Sequence, residues 1–394
     1  LLKDGSFLRE LRAAKTRVQA GFMALDPRNG AVLAWVGSRD YGTDPFDHVQ
    51  AARRQPGSTF KPFVYGAAFA KGMLPTDQLM DQAVEIPLGG KQVWRPKDGR
   101  TPPSEQPMEL RDGLAYSKNT ITAQLMQLVG PERVAQLARA MGVRESKLEA
   151  VPALALGTSS VTLKEMVAAY GTIASGGRYM APTVITRIED KNGKLLEQFA
   201  PASAERALSL SAAQELRDAL RGVIDKGTGA AIRGRFGITA DVAGKTGTTQ
   251  DNTDGWFILM HPQLVAGAWV GFNDNRITLR SDYWGQGARS ALPIVGDAFH
   301  YALANRLIDP RQRFVSREEP GLLQRGWRWV RGLWATPEPE PEPRPTPRRP
   351  RPQVPSPPAP PPPVPAEPVP APPPPPPPPG GEAPPETAII PAQQ

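Results

Sequence analysis

Proline is spread so unevenly along this 394-residue chain that it divides the chain in two. Of 47 prolines, 29 fall between Ala335 and Gln394, including the unbroken run Pro372 to Pro379. Each proline removes a backbone donor and fixes φ, so this stretch cannot form a helix or a central strand and is expected to be a disordered or polyproline II tail. Folding is thereby confined to Leu1 to about Trp334, which is enough chain, with hydrophobic periodicity through most of it, to bury a large core. The expected organisation is a first segment over 1–16, one folded domain over 17–308, an extension over 309–334 and the tail over 335–394.

The tail is slightly acidic, with six acidic residues and four arginines, so the body carries +10 of a chain total of +8. A basic body suits anionic surfaces such as membrane headgroups, wall polymers or nucleic acid, and it also serves plain solubility. No run of about 18 apolar residues is present, so no segment reads as a membrane span. Leu1 is not an initiator Met and no leader pattern precedes the body, so an anchor and targeting signal are expected upstream. The absence of cysteine excludes disulfides, thiolate zinc sites and a cysteine nucleophile. His48, His261 and His300 stand far apart without a second ligand at helical spacing, so they read as packing or surface residues, and no metal or cofactor is expected. No G-x-S-x-G elbow is present to support a Ser-His-Asp site.

The chemistry lies in three short motifs, in this order: Ser58-Thr59-Phe60-Lys61, Ser117-Lys118-Asn119 and Lys245-Thr246-Gly247-Thr248. Gln55-Pro56-Gly57 breaks the chain just before the first, and Pro62 is tolerated only in a first helical turn, so a helix should start at about Ser58. Positions three apart share a helix face, which can bring the Lys61 amine beside the Ser58 hydroxyl. Such a lysine is a base only when burial or a second cation lowers its pKa, and Lys245 is the obvious cation. Ser58 would also offer its N–H to an oxyanion at the helix start, although a serine in this place can equally be a simple N-cap. Ser117 can relay a proton to a leaving nitrogen, and the Asn119 amide can hold Lys61 and a substrate carbonyl. Lys245, Thr246 and Thr248 suit a carboxylate, while Gly247 would let a substrate backbone approach the strand.

Gly244-Lys245-Thr246 also resembles the end of a P-loop. The spacing excludes it, because the glycine required five positions earlier is Thr239, and Gly237 lies two residues too early. Around the motifs, Val18 to Leu25 and Ala31 to Val36 read as a hairpin turning at Asp26 to Gly30. Helical periodicity runs from Pro107 to Met141, from Ser160 to Ala174 and from Ser209 to Asp225. Tyr179 to Asp190 and Lys194 to Phe199 read as a second hairpin, with Asn192-Gly193 in its turn. Val242 to Lys245, Gly255 to Met260 and Leu264 to Gly271 read as strands, and Pro293 to Leu307 as a closing helix. The fold class is α/β, with an antiparallel sheet assembled from both ends of the folded sequence and flanked by helices, plus an all-α lobe.

The three motifs resemble the S-x-x-K, S-D-N and K-T-G set of penicillin-binding proteins and class A β-lactamases, with Lys118 in the middle of the second. The resemblance extends through Arg54 to Phe63, Ala153 to Gly157 and Gly244 to Phe257, and is closest to the transpeptidase domain of class A penicillin-binding proteins, the bifunctional peptidoglycan synthases. It covers about Arg17 to Leu303. Two departures stand out: Asp98, in Trp94 to Asp98, where the family usually has Asn, and Gly255 where Ala is common. The resemblance implies the corresponding fold, with the active site between sheet and helical lobe. It implies that Ser58 is acylated by a D-Ala-D-Ala stem peptide, releases the last D-Ala and passes the acyl group to an amine of another stem, and that β-lactams acylate the same serine. Thr248 would give a second oxyanion N–H. It further implies a place on the outer face of the bacterial cytoplasmic membrane, an anchor and a glycosyltransferase domain upstream, with 1–16 a linker remnant, and no nucleic-acid partner.

Other readings stay open. Water as acceptor would make a D,D-carboxypeptidase or β-lactamase, for which Glu145 and Glu149 are the nearest acids after the second motif. A non-catalytic β-lactam sensor or wall-binding module is the alternative of a different class. Trp327, Trp329 and Trp334 among arginines suit a membrane interface, a partner or an apolar cap. The tail suits a spacer, or a segment that binds wall polymer or protein.

Overall fold

The computed structural model describes residues 4–315, apart from 90, 91, 100, 201, 250, 251, 280 and 282. The polyproline tail and the Trp/Arg-rich segment expected from the sequence lie outside the described residues. The stretch read as a linker contains a helix, α1 (Gly5–Lys15), capped by the Asp4 carboxylate, which accepts from the Ser6 and Phe7 backbone N–H groups. The hairpin β1 (Gln19–Leu25) and β2 (Val32–Val36) follows as expected, turning at Gly30 with φ +77°. A 3-10 turn, Gly57–Phe60, runs directly into α2 (Lys61–Ala70), with Pro62 in the first turn.

Next come the short strands β3 (Gln78–Met80), β4 (Ile86–Gly89), β5 (Gln92–Trp94) and β6 (Pro107–Glu109), in which β3 pairs with β6 and β4 with β5. The periodic stretch that begins at Pro107 resolves into β6 and then α3 (Leu110–Ala115), α4 (Asn119–Val129) and α5 (Pro131–Met141), and α6 spans Leu163–Ala174. A capping box opens α6, where Thr162 and Glu165 satisfy each other's backbone N–H. The second expected hairpin is shorter than its pattern. Arg178–Tyr179, β7, pairs instead with β10 (Glu205–Arg206), and only β8 (Arg187–Glu189) and β9 (Leu195–Gln198) form the hairpin. Pro182 interrupts the run, since proline cannot donate to a ladder.

After α7 (Leu210–Asp225), capped by Ser209, and the short α8 (Ala231–Gly234), the chain enters β11 (Ala243–Thr248), β12 (Gly255–His261) and β13 (Leu264–Gly271). These join the N-terminal hairpin in one antiparallel sheet of order β11-β12-β13-β1-β2, so the sheet is built from both ends of the body. Lys245 sits inside a strand whose successor is another strand, which removes the P-loop reading. The closing helix, α9 (Gly287–Ala304), starts before Pro293 and carries it internally. Its start is fixed by the sheet, because the Gly287 N–H donates to Thr248 Oγ1 at 3.1 Å.

One apolar cluster fills the space between the sheet and the helical lobe, and a second lies between the sheet and α9. The axis of the lobe is α2, whose residues Lys61 to Phe69 are all buried, as befits a helix apolar on every side. The chain segment before it is tied to the sheet. Arg54 lies over the Trp269 ring at 5.1 Å, and the Trp269 indole N–H donates to Asp254 at 2.8 Å. Arg54 and Val161 also exchange two backbone hydrogen bonds of 2.9 Å. The turn that carries Ser58 is held by backbone against backbone. Gly57 has φ +53° and faces the Thr248 backbone, and Gly157, at φ +72°, faces Gly57 in turn. A methyl group at 157 meets both a left-handed conformation and the Gly57 main chain. Gly157→Ala should therefore destabilise the fold by about 2 kcal/mol or more, as read by thermal unfolding.

Candidate active site

Ser58 stands on the 3-10 turn where sheet and helical lobe meet, at the wall of a cleft of about 1020 Å³. Neither the turn nor α2 has a side-chain cap, and Ser58 Oγ has no hydrogen bond among the described residues, so Ser58 is not an N-cap. Lys61, one turn along, is fully buried, and its amine points across to the α3–α4 turn. It donates to Asn119 Oδ1 at 2.6 Å, to Ser117 Oγ at 3.2 Å and to the Ser117 carbonyl. The spacing led us to expect that amine on the Ser58 hydroxyl. It is instead satisfied from the second motif, because three acceptors converge there.

Ser117 occupies the left-handed region at φ +59°, unusual for a serine and characteristic of functional turns. This conformation places its hydroxyl between two amines, since Lys245 Nζ donates to Ser117 Oγ at 2.9 Å. Lys245 is also fully buried, and its other partner is the Thr246 carbonyl at 3.1 Å. The three motifs thus meet at one oxygen. Burial, joined by the positive charge of Lys245, holds the Lys61 amine well below its usual pKa. Burial alone takes Lys245 to about 7.

The third motif lies on β11, an edge of the sheet, and Thr246 and Thr248, two apart, share the cleft face. Gly247 does not serve substrate approach as expected. A Cβ there would meet the Pro56 carbonyl at 2.6 Å and the Thr59 methyl at 2.8 Å, so its lack of a side chain lets the nucleophile turn seat on the strand. Thr228, whose hydroxyl is 2.6 Å from that of Thr246, also lines the cleft and was missed. Its only local signal is a pair of flanking glycines after α7.

Sequence reasoning also missed the surroundings of Asn119. Its side-chain amide donates to the Lys97 carbonyl at 2.6 Å and its backbone N–H to Asp98. Lys118 is 2.9 Å from both Asp81 and Asp98. Glu145 and Glu149 do not line the cleft; the Glu145 carboxylate takes Lys164 at 2.6 Å. No cluster of potential metal ligands occurs among the described residues.

Comparison with known proteins assigns the family. Residues 20–265 match the penicillin-binding protein transpeptidase domain, and the chain belongs to that family. It is 36% identical over 299 residues to penicillin-binding protein 1A of Neisseria gonorrhoeae, an alignment covering 73% of this chain and 36% of that protein. Penicillin-binding protein 1A of Haemophilus influenzae superposes with a TM-score of 0.71 at 29% identity, over 77% of this chain and 50% of that one. Penicillin-binding protein A of Mycobacterium tuberculosis, solved as its penicillin G acyl-enzyme, shares the fold, with a TM-score of 0.61 at 23% identity over 74% of this chain and 77% of that one. The chain spans about a third of the length of the curated relatives it matches.

The two buried amines predict a pH dependence of stability. With Lys245 near 7 in the fold against 10.5 when exposed, the unfolded chain binds more protons between those values, so stability rises with pH across that window. Lys61 is depressed too, and acts in the same direction. Lys245→Met removes one group and relieves the other. The variant should melt above wild type near pH 7, with the gap closing as pH rises toward 10, as read by thermal unfolding across a pH series.

Proposed function

We propose that this chain is a D,D-transpeptidase acting on peptidoglycan stem peptides, with Ser58 as nucleophile and Lys61 as base. The observation that carries the reading is the sharing of Ser117 Oγ by two buried amines, that of Lys61, one turn along the chain from Ser58, and that of Lys245 on β11. A lysine whose pKa burial holds well below its usual value can take the Ser58 proton as Oγ attacks the carbonyl of the penultimate D-Ala. The oxyanion that forms is met by the N–H groups of Ser58 and Thr248, whose backbones the side-chain-free Gly57 allows to lie together. On collapse the bond to the terminal D-Ala breaks, and Ser117 delivers to the leaving amine the proton taken from Ser58. An amine of a second stem then attacks the Ser58 ester, loses its proton by the same relay, and restores the Ser58 hydroxyl as the new amide forms. Lys245, Thr246 and Thr248, with Thr228 behind them, suit the substrate's terminal carboxylate.

β-Lactams would acylate Ser58 in place of the donor peptide. Hydrolysis is the weaker reading, because the carboxylates lining the described cleft are Asp81 and Asp98, and Lys118 engages both. Neither is poised to activate water. The substrate places this domain outside the cytoplasmic membrane, where an anchor upstream would hold it.

Incubation with penicillin followed by mass spectrometry should give one adduct, mapped to Ser58, that persists for many minutes. Ser58→Ala should give none, and adduct turnover within seconds would reassign the protein as a hydrolase. Lys61→Met should slow acylation by about 10²- to 10⁴-fold with the fold retained, as read by stopped-flow labelling.

A further inference from the structure

Lys97 and Asp98, in a strap described over 95–99 and 101–106, fasten it to the α3–α4 turn, partly by an ion pair. Lys118, the middle residue of the second motif, is 12% exposed and lies 2.9 Å from Asp81 and 2.9 Å from Asp98, which are 0% and 9% exposed. Thr120 adds its hydroxyl to Asp81 at 2.7 Å and to Asp98 at 3.3 Å. Charges buried to this degree hold only as a paired set, so the strap and the turn are bound as one body. The strap also fixes Asn119 from two directions. Asp98 accepts its backbone N–H and the Lys97 carbonyl accepts its side-chain amide, which leaves Asn119 Oδ1 aimed at Lys61 at 2.6 Å.

We propose that Asp98 and Lys118 are a positioning pair for the acylation step: together they clamp the strap on the turn, hold the Asn119 oxygen on Lys61 and balance the charge this amine feels. The proposal rests on the assignment of Lys61 as the base for Ser58. Five residues bear on that amine: Ser117 from the turn and Asn119 from the start of α4 accept from it, while Lys245 from β11, Asp98 from the strap and Lys118 just before α4, itself neutralised in part by Asp81, act through charge. After burial and Lys245, Asp98 favours the protonated amine and Lys118 opposes it. The two members of the pair therefore act on Lys61 with opposite sign.

The test is the rate constant for acylation of the full chain by a labelled penicillin, measured against pH in wild type, Asp98→Asn, Lys118→Met and the double variant. Asp98→Asn keeps an oxygen for the Asn119 N–H while removing the negative charge and the ion pair with Lys118. Its acid limb should move to lower pH, and that of Lys118→Met to higher pH, each by roughly half a unit or more, with the double variant between them. Lys118→Arg should restore the wild-type limb. Limbs that stay in place, or move in the same direction, overturn the proposal, because a purely structural role lowers the rate without opposite shifts. If Lys118→Met does not fold, Asp98→Asn decides alone, by its limb moving down or not. An adduct that maps away from Ser58, or a Lys61→Met enzyme with wild-type rate, removes the underlying assignment and the proposal with it. Unmoved limbs in an enzyme acylated at Ser58 remove the proposal only.

Discussion

Two lysine amines buried against one serine hydroxyl are the constraint around which this molecule is arranged. Lys61 and Lys245 are both fully buried and both donate to Ser117 Oγ. In water two such ammonium groups would keep their protons; in this interior burial disfavours both charges, and the charge of Lys245 adds to the effect on Lys61. An amine depressed in this way is thus a product of tertiary structure. It requires a helix that is buried on all sides to carry Lys61, a strand of the main sheet to carry Lys245, and a strained turn to present Ser117 to both.

The rest of the fold keeps these three carriers in register. The sheet pairs β1 with β13 from opposite ends of the described body, and β11 becomes an edge. Arg54, Trp269 and Asp254 bind the segment before Ser58 to that sheet, and burial raises the Asp254 carboxyl despite its indole and guanidinium neighbours. Glu165 ties the loop at Glu145 and Ser146 to the start of α6 through hydrogen bonds of 2.5–3.0 Å, which explains an acid that has no part in the cleft.

Much of this was legible in the chain. Hydrophobic period and turn residues located the sheet strands and α7, and Pro62 with Gly57 located the start of the nucleophile helix. The motif spacing put Ser58, Lys61, Ser117, Asn119 and Lys245 in one site, and the structure brings them together. Legibility failed where the partner is distant in sequence and its local signal is ordinary. Thr228 looks like a turn residue until it meets Thr246, and Asp81 carries no pattern at all. Gly247 was read as space for a ligand because nothing local reveals that Pro56 and Thr59 occupy it. The start of α9 was misplaced because Pro293 is a reliable sign of a first turn only when nothing outside the helix fixes its beginning, and Thr248 does.

The stacking of Gly157 on Gly57 and of Gly57 on Thr248 has an evolutionary consequence. A nucleophile turn seated through main-chain atoms offers no side chain by which its position can be tuned gradually. The opposite wall differs, because the strap holds its place through side chains and charges that single substitutions can alter. The cleft therefore joins one side closed to variation with one side open to it.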